Sequence, residues 1–308
     1  MKRITQEAAG GKVLVSDGAW GTMLQKKGLQ PGECPELWCL THRADVLAIA
    51  RDYIEAGADL IKTNSFGGTS FKLEFFGLAG RAGEINEQAA AISREAAGKN
   101  KHVIASMGPT GKMLLMGDVT EEEIKSAFRA QAIAIEKGGA DAACIETMSD
   151  LTEACLAIRA VKENTGLEII CTFTFEKTAS GEYRTMMGVS PADMAGACLE
   201  AGADIIGSNC GNGFEQMPPI VAEIRKAAPG VPILVHANAG RPVTRDGQTV
   251  FPDTPELVAA KVPAIIAAGA NIIGGCCGTT PEHIRAIAGA VRGMRTATGA
   301  GLTSGWTG

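Results

Sequence analysis

Two adjacent cysteines, Cys276-Cys277, and a third, Cys210, each follow a short apolar run in a chain that otherwise scatters its thiols. Three thiolates converging from two loops form a soft donor set that suits zinc, which prefers sulfur and four tetrahedral ligands. Three protein ligands leave the fourth position to water or a substrate atom, as in a catalytic site rather than a closed structural one. The spacing is not that of a CxxC motif. Its weight comes from placement at strand ends, and from Gly274, Gly275 and Gly278, which permit close backbone approach around both sulfurs. Packed thiols or a strained vicinal disulfide are the competing readings.

A second group of residues could grip the far end of a small substrate. In Val15-Ser16-Asp17-Gly18-Ala19-Trp20 a carboxylate stands beside backbone N–H groups. Asp17 could take an ammonium while the amides near Gly18 and Ala19 take a carboxylate, and together these form the handle of an amino acid. Glu146 offers a second carboxylate to the same ammonium. A turn aspartate is the alternative for Asp17, and a helix cap ahead of Ser149-Asp150 for Glu146. Asn64, Asn209 and Asn238 close other apolar runs and complete the candidate substrate contacts. His236 reads as a hydrogen-bonded core histidine rather than a ligand. Gly211-Asn212-Gly213 lacks the lysine and glycine spacing of a phosphate loop, so it reads as the loop that shapes the metal mouth. No Ser-His-Asp array stands at matched strand ends.

These residues need a scaffold that delivers them to one place, and a fourfold repeat supplies it. Gly57-Ala58-Asp59 leads to Asn64, Gly139-Ala140-Asp141 to Glu146, Gly202-Ala203-Asp204 to Asn209-Cys210, and Gly269-Ala270-Asn271 to Cys276-Cys277. The apolar runs after each triplet are too short for helices and suit strands buried on both faces. Eight strands are predicted, over 13–16, 59–63, 102–107, 141–145, 168–174, 204–208, 232–236 and 271–275, each followed by an amphipathic stretch. The repeats mark the second, fourth, sixth and eighth. Equal offsets on alternate strands point into one layer of a barrel, so Asn64, Glu146, Asn209 and Cys276 should share a layer at the carboxyl-terminal mouth. Thr120 with Glu123 forms a capping box, and Ser190-Pro191, Thr254-Pro255 and Thr280-Pro281 each place a capping hydroxyl before a helical proline. An α/β fold of the (β/α)8 TIM barrel type in one domain over residues 1–295 follows, with a flexible tail over 296–308. A doubly wound open sheet is the alternative.

Composition agrees with that frame. With 308 residues and 45% hydrophobic content the chain can bury one large core. A net charge of -5 without a basic stripe argues against nucleic acid as a partner. Nor does any apolar run reach the roughly 20 residues of a membrane span. Nine cysteines, an odd number, fit a reducing cytoplasm better than a disulfide framework. Of these, Cys144, Cys155, Cys171 and Cys198 read as small core hydrophobes, and Cys34 and Cys39 take no role.

The run Gly274-Gly275-Cys276-Cys277-Gly278-Thr279-Thr280-Pro281-Glu282-His283-Ile284, with Asn209-Cys210, Asn238-Ala239-Gly240, Asp17-Gly18-Ala19, Thr63-Asn64-Ser65-Phe66-Gly67 and Glu146-Thr147, resembles the homocysteine S-methyltransferase family from about Val13 to Met294. Met107-Gly108-Pro109-Thr110-Gly111-Lys112 and the Thr279-Thr280-Pro281 continuation resemble its cobalamin-dependent methionine synthase branch. The chain departs from the pattern at Ala237, where the family commonly carries proline, and around Thr185-Met186-Met187-Gly188. The resemblance implies a (β/α)8 barrel, zinc on Cys210, Cys276 and Cys277, and the homocysteine amino group on Asp17 and Glu146. It also implies a zinc-bound homocysteine thiolate that accepts a methyl group to give methionine. The chain ends soon after its last expected helix. The expected donor is therefore methylcobalamin on a separate corrinoid protein, or a separate folate/corrinoid methyltransferase, docking at the mouth. Direct use of betaine or S-methylmethionine is one alternative. A non-catalytic thiol or zinc-binding module and a redox switch on Cys276-Cys277 are the others.

Overall fold

The computed structural model describes residues 2–245 and 248–299. Eight short strands form one parallel sheet: β1 Leu14–Val15, β2 Leu60–Lys62, β3 His102–Met107, β4 Ala142–Met148, β5 Glu168–Phe173, β6 Ile205–Gly213, β7 Ile233–Asn238 and β8 Ile272–Gly275. From β2 to β8 each strand pairs with the next in sequence, and β1 pairs with β8. A parallel bridge from Ser16 to Leu60, with Asp17 N–H donating to Leu60 O at 3.1 Å, brings β1 back to β2. The sheet therefore closes into a barrel, and the open-sheet alternative falls.

The triplet repeat has a physical role beyond marking strands. Its glycine ends the preceding helix in the left-handed region, at φ 107° for Gly57, 94° for Gly139, 112° for Gly202 and 117° for Gly269, where a side chain would be strained. Its acidic or amide residue then clasps the preceding odd strand twice. Asp59 N–H donates to Val15 O while its carboxylate accepts from Val15 N–H at 3.2 Å. The same two bonds join Asp141 to Val103, Asp204 to Ile169 and Asn271 to Ile233. Four clasps thus tie β1 to β2, β3 to β4, β5 to β6, and β7 to β8.

Because strand side chains alternate, one face of each strand fills the barrel and the other meets the helices. Leu14, Leu60, Ile104, Ala142, Cys144, Ile170, Ile205, Leu234 and Ile272 pack together inside. They are joined by Ile4 from a short helix, Ile4–Ala9, that plugs the amino-terminal end of the barrel. The Glu168 carboxylate fixes that plug by accepting from Ile4 N–H at 2.7 Å and Thr5 N–H at 3.0 Å. This helix had no expectation from the sequence. Nor did two hairpins on the opposite face, Glu176–Lys177 with Tyr183–Arg184 and Val243–Arg245 with Gln248–Val250.

The expected caps form at Thr120, Ser190 and Thr254, whose hydroxyls accept from Glu123, Asp193 and Leu257 N–H groups. At Thr280 the roles reverse: the His283 ring accepts from Thr280 N–H at 3.1 Å, and the hydroxyl turns to Glu282. The last helix runs Pro281–Gly299, past the expected start of the tail at 296; the rest of that tail, 300–308, lies outside the described residues. Among the described residues no helix is long and apolar enough to cross a membrane.

Candidate metal centre and active site

Cys210 reaches the barrel mouth through a break in β6. Pairing with β7 shifts register between Asn209 and Gly213, and Cys210 itself sits at φ 58°, a left-handed backbone that few non-glycine residues adopt. Cys276 and Cys277 leave β8 in a tight turn. A side chain at Gly275 would meet Thr279 Oγ1 at 2.2 Å, and one at Gly278 would meet Phe251 Cβ at 2.3 Å, so only glycine fits either position. The turn is pinned to the end of β7: Cys276 N–H donates to Ala237 O at 2.7 Å and Ala239 N–H to Cys277 O at 3.0 Å. Thr279 Oγ1 donates to Cys276 O and accepts from Ala19 N–H, which ties the thiols to the loop after β1.

The three sulfurs lie within 4.8 Å of one another, with Cys210 and Cys277 3.9 Å apart. Around one tetrahedral zinc, sulfurs stand about 3.8 Å apart, so the cluster needs little movement to hold that ion. All nine cysteines stand as free thiols in this structure. Thiol hydrogen bonds from Cys276 and Cys277 pull Cys210 down to about 3, while the same sharing pushes Cys276 up to about 11 and Cys277 upward too. The cluster as a unit stabilises one negative charge, as a cation site should.

The sulfurs form one wall of a cavity of about 390 Å³. Trp20, Leu24 and Phe66 supply its apolar lining, and Glu146, Ser106 and Lys62 a polar one. Glu146, at the end of β4, accepts a hydrogen bond from Ser106 Oγ, and its other oxygen lies 3.6 Å from Lys62 Nζ. Burial raises the Glu146 pKa despite that lysine. Burial works against the Lys62 charge too, but Glu146 and Asp17 outweigh it and hold the ammonium above the usual lysine range. Helix Leu151–Asn164 is capped by Asp150, so Glu146 is not used as a cap.

Of the expected substrate contacts, Ala19, Asn64 and Glu146 line the cavity, while Asp17, Gly18, Asn209 and Asn238 lie behind its wall. The expectation for the loop after β1 needs correcting on two points. The Ala19 amide is already bonded to Thr279, so it is not open to a substrate carboxylate. Asp17 is fully buried, accepts from Trp20 Nε1 and Lys62 N–H at 2.8 Å each, and has Lys62 rather than the cavity as its neighbouring charge. Asn64 lines the cavity with its amide nitrogen spent on Pro35 O. Asn209 accepts from Thr147 N–H and Thr172 Oγ1 and donates to Thr147 Oγ1, bonds that hold Thr147 at φ 63° beside the site. His236 is core, as expected, but among the described residues neither ring nitrogen has a hydrogen-bond partner, and burial keeps the ring neutral. Asn238 Oδ1 is likewise unpaired.

Sequence reasoning missed Lys62, Ser106 and Trp20. Lys62 left a signal: a lysine within a strand otherwise buried on both faces, at the repeat position filled by Cys144, Gly207 and Gly274 in the other copies.

Comparison with known proteins agrees with this geometry. Methionine synthases of Mycobacterium leprae and Mycobacterium tuberculosis are each 34% identical, over 91% and 92% of the chain. The chain spans about a quarter of their length. The solved structure of the homocysteine methyltransferase MmuM from Escherichia coli, in its metallated form, superposes with a TM-score of 0.74 at 22% identity, covering 90% of this chain and 96% of that one. That likeness establishes the barrel. The sequence profile of homocysteine S-methyltransferases matches residues 14–291. On the strength of that match and of the two synthases, the chain belongs to the homocysteine S-methyltransferase family.

Proposed function

We propose that the protein methylates homocysteine, holding zinc through Cys210, Cys276 and Cys277 and taking the methyl group from a methyl-corrinoid protein in trans. The observation that carries the reading is one cavity with three convergent thiols on one wall and a charged pair, Glu146 and Lys62, on another. Zinc held there would supply Lewis acidity that lowers the pKa of the substrate thiol, about 8.5 when free, so that its proton is lost to solvent at neutral pH and the sulfur is left nucleophilic. Cys210, Cys276 and Cys277 would hold the ion, and their negative charge would keep a sulfur bound to it electron-rich. Glu146 takes the ammonium at the other end of the substrate, which aims the sulfur along the line of approach of the donor. The wall formed by Trp20, Leu24 and Phe66 excludes water from the path between them.

A donor that arrives as a protein is supported by apolar side chains exposed on the loops after β3 and β5. Leu115 is 78% exposed, Met116 73% and Met186 83%, which is surface of the kind that meets another macromolecule. The remaining length of the related synthases, beyond the quarter matched here, is the basis for placing that donor on a different polypeptide segment.

The test is metal analysis with a donor series. One zinc per chain is expected, with methionine formed from a methyl-corrinoid protein and not from betaine or S-methylmethionine. Cys210→Ser should lose zinc and turnover together, by more than about 100-fold. Zinc-dependent turnover surviving that change would refute the ligand assignment. Unaided use of betaine or S-methylmethionine would refute the donor.

A further inference from the structure

Lys62 has been given no contact with the substrate so far, yet among the described residues it is the one cation lining the cavity. Its side chain is 5% exposed, and among the described residues its ion-pair partner is Glu146 at 3.6 Å, longer than a hydrogen bond. A buried ammonium carries three donors and is costly to leave half-satisfied. Glu146 is in a matching condition: one oxygen takes the Ser106 hydroxyl, while the other lies 3.6 Å from Lys62 Nζ. Plus and minus thus stand side by side, loosely joined, in a cavity that the three cysteines also line.

We propose that Lys62 recognises the α-carboxylate of the acceptor while Glu146 takes its ammonium, so the site selects thiols that carry both groups. The inference rests on homocysteine being the acceptor and deepens that reading. A zwitterion entering beside the pair completes a ring of four alternating charges, and each buried group gains the partner it lacks. A thiol bearing only a carboxylate would leave Glu146 without a substrate cation, and one bearing only an ammonium would leave Lys62 without its anion.

Calorimetric binding to the zinc-loaded protein separates the alternatives, using homocysteine, 4-mercaptobutyrate, which lacks the ammonium, and 3-aminopropane-1-thiol, which lacks the carboxylate. Wild type should bind homocysteine at least about ten-fold more tightly than either analogue, since a site built around polar partners rejects ligands that lack them. Lys62→Met should weaken homocysteine and 4-mercaptobutyrate by about ten-fold or more and leave 3-aminopropane-1-thiol within about two-fold. Lys62→Arg should restore part of the loss. Equal weakening of all three ligands by Lys62→Met would reduce Lys62 to neutralising the carboxylates, and overturns the proposal. So does a wild type that binds 3-aminopropane-1-thiol as tightly as homocysteine, a result that stands even if the variants fold poorly. A wild-type preference for 4-mercaptobutyrate also overturns it, and would make Lys62 an internal substitute for the substrate ammonium. If zinc-loaded wild type binds none of the three, the acceptor assignment itself fails, and that outcome is distinct from the others.

Discussion

At the scale of single residues, the site combines groups that a sequence reveals with groups it conceals. The doubled cysteine and its glycines were legible because their chemistry is local: soft donors and a tight turn, all within five positions. The substrate end was only partly legible. Asp17 looked like a free carboxylate because its partners, Trp20 Nε1 and the Lys62 amide, are brought to it by the loop after β1 and by β2. Its burial has a consequence for stability. Burial raises the Asp17 pKa from 3.8 to about 6, so the folded protein keeps this proton over a range in which the unfolded chain releases it. A raised acid stabilises the fold below the unfolded pKa, and that contribution is lost as pH rises through the folded value. Asp17→Asn should therefore gain on wild type by about 3 kcal/mol between pH ~4 and ~6. Denaturant melts of both proteins across that range would show it; a constant difference would contradict the burial argument.

Among the elements, periodicity and punctuation located all eight barrel strands, because a parallel barrel buries each strand on both faces and leaves short apolar runs between helices. The two hairpins and the plug helix escaped for a common reason. Short polar strands such as Glu176–Lys177 carry no alternation to read, and Ile4–Ala9 is held by Glu168, more than 160 residues away. The plug gives a prediction at this scale. Ile4 is fully buried among the inner barrel side chains, at the end opposite the thiols. Ile4→Ala should cost about 2–4 kcal/mol on thermal unfolding while leaving metal content and homocysteine affinity unchanged. An altered affinity would mean that the two ends of the barrel communicate.

For the molecule as a whole, the barrel closes away from the proposed metal ligands. Closure comes from backbone pairing and from the Ser16–Leu60 bridge, whereas the thiols lie at the mouth on the last turns of β6 and β8. Stripping zinc with a chelator should abolish methyl transfer with no change in far-UV circular dichroism, and added zinc should restore it. Loss of secondary structure on chelation would show that the sulfurs are needed for folding as well.

The four clasps carry a consequence for how the chain can be divided. Each joins an odd strand to the even strand that follows it, across 35 to 44 residues, and none joins β4 to β5. A polypeptide cut at Gly166 keeps every clasp inside one piece or the other. Co-expressed, the two halves should complement each other into a complete barrel, while the same chain cut between β3 and β4 strands Asp141 from Val103 and should reassemble poorly. In that sense the barrel is a tandem of four interlocked quarters, with Glu146 from the second and the cysteines from the last two meeting only on assembly.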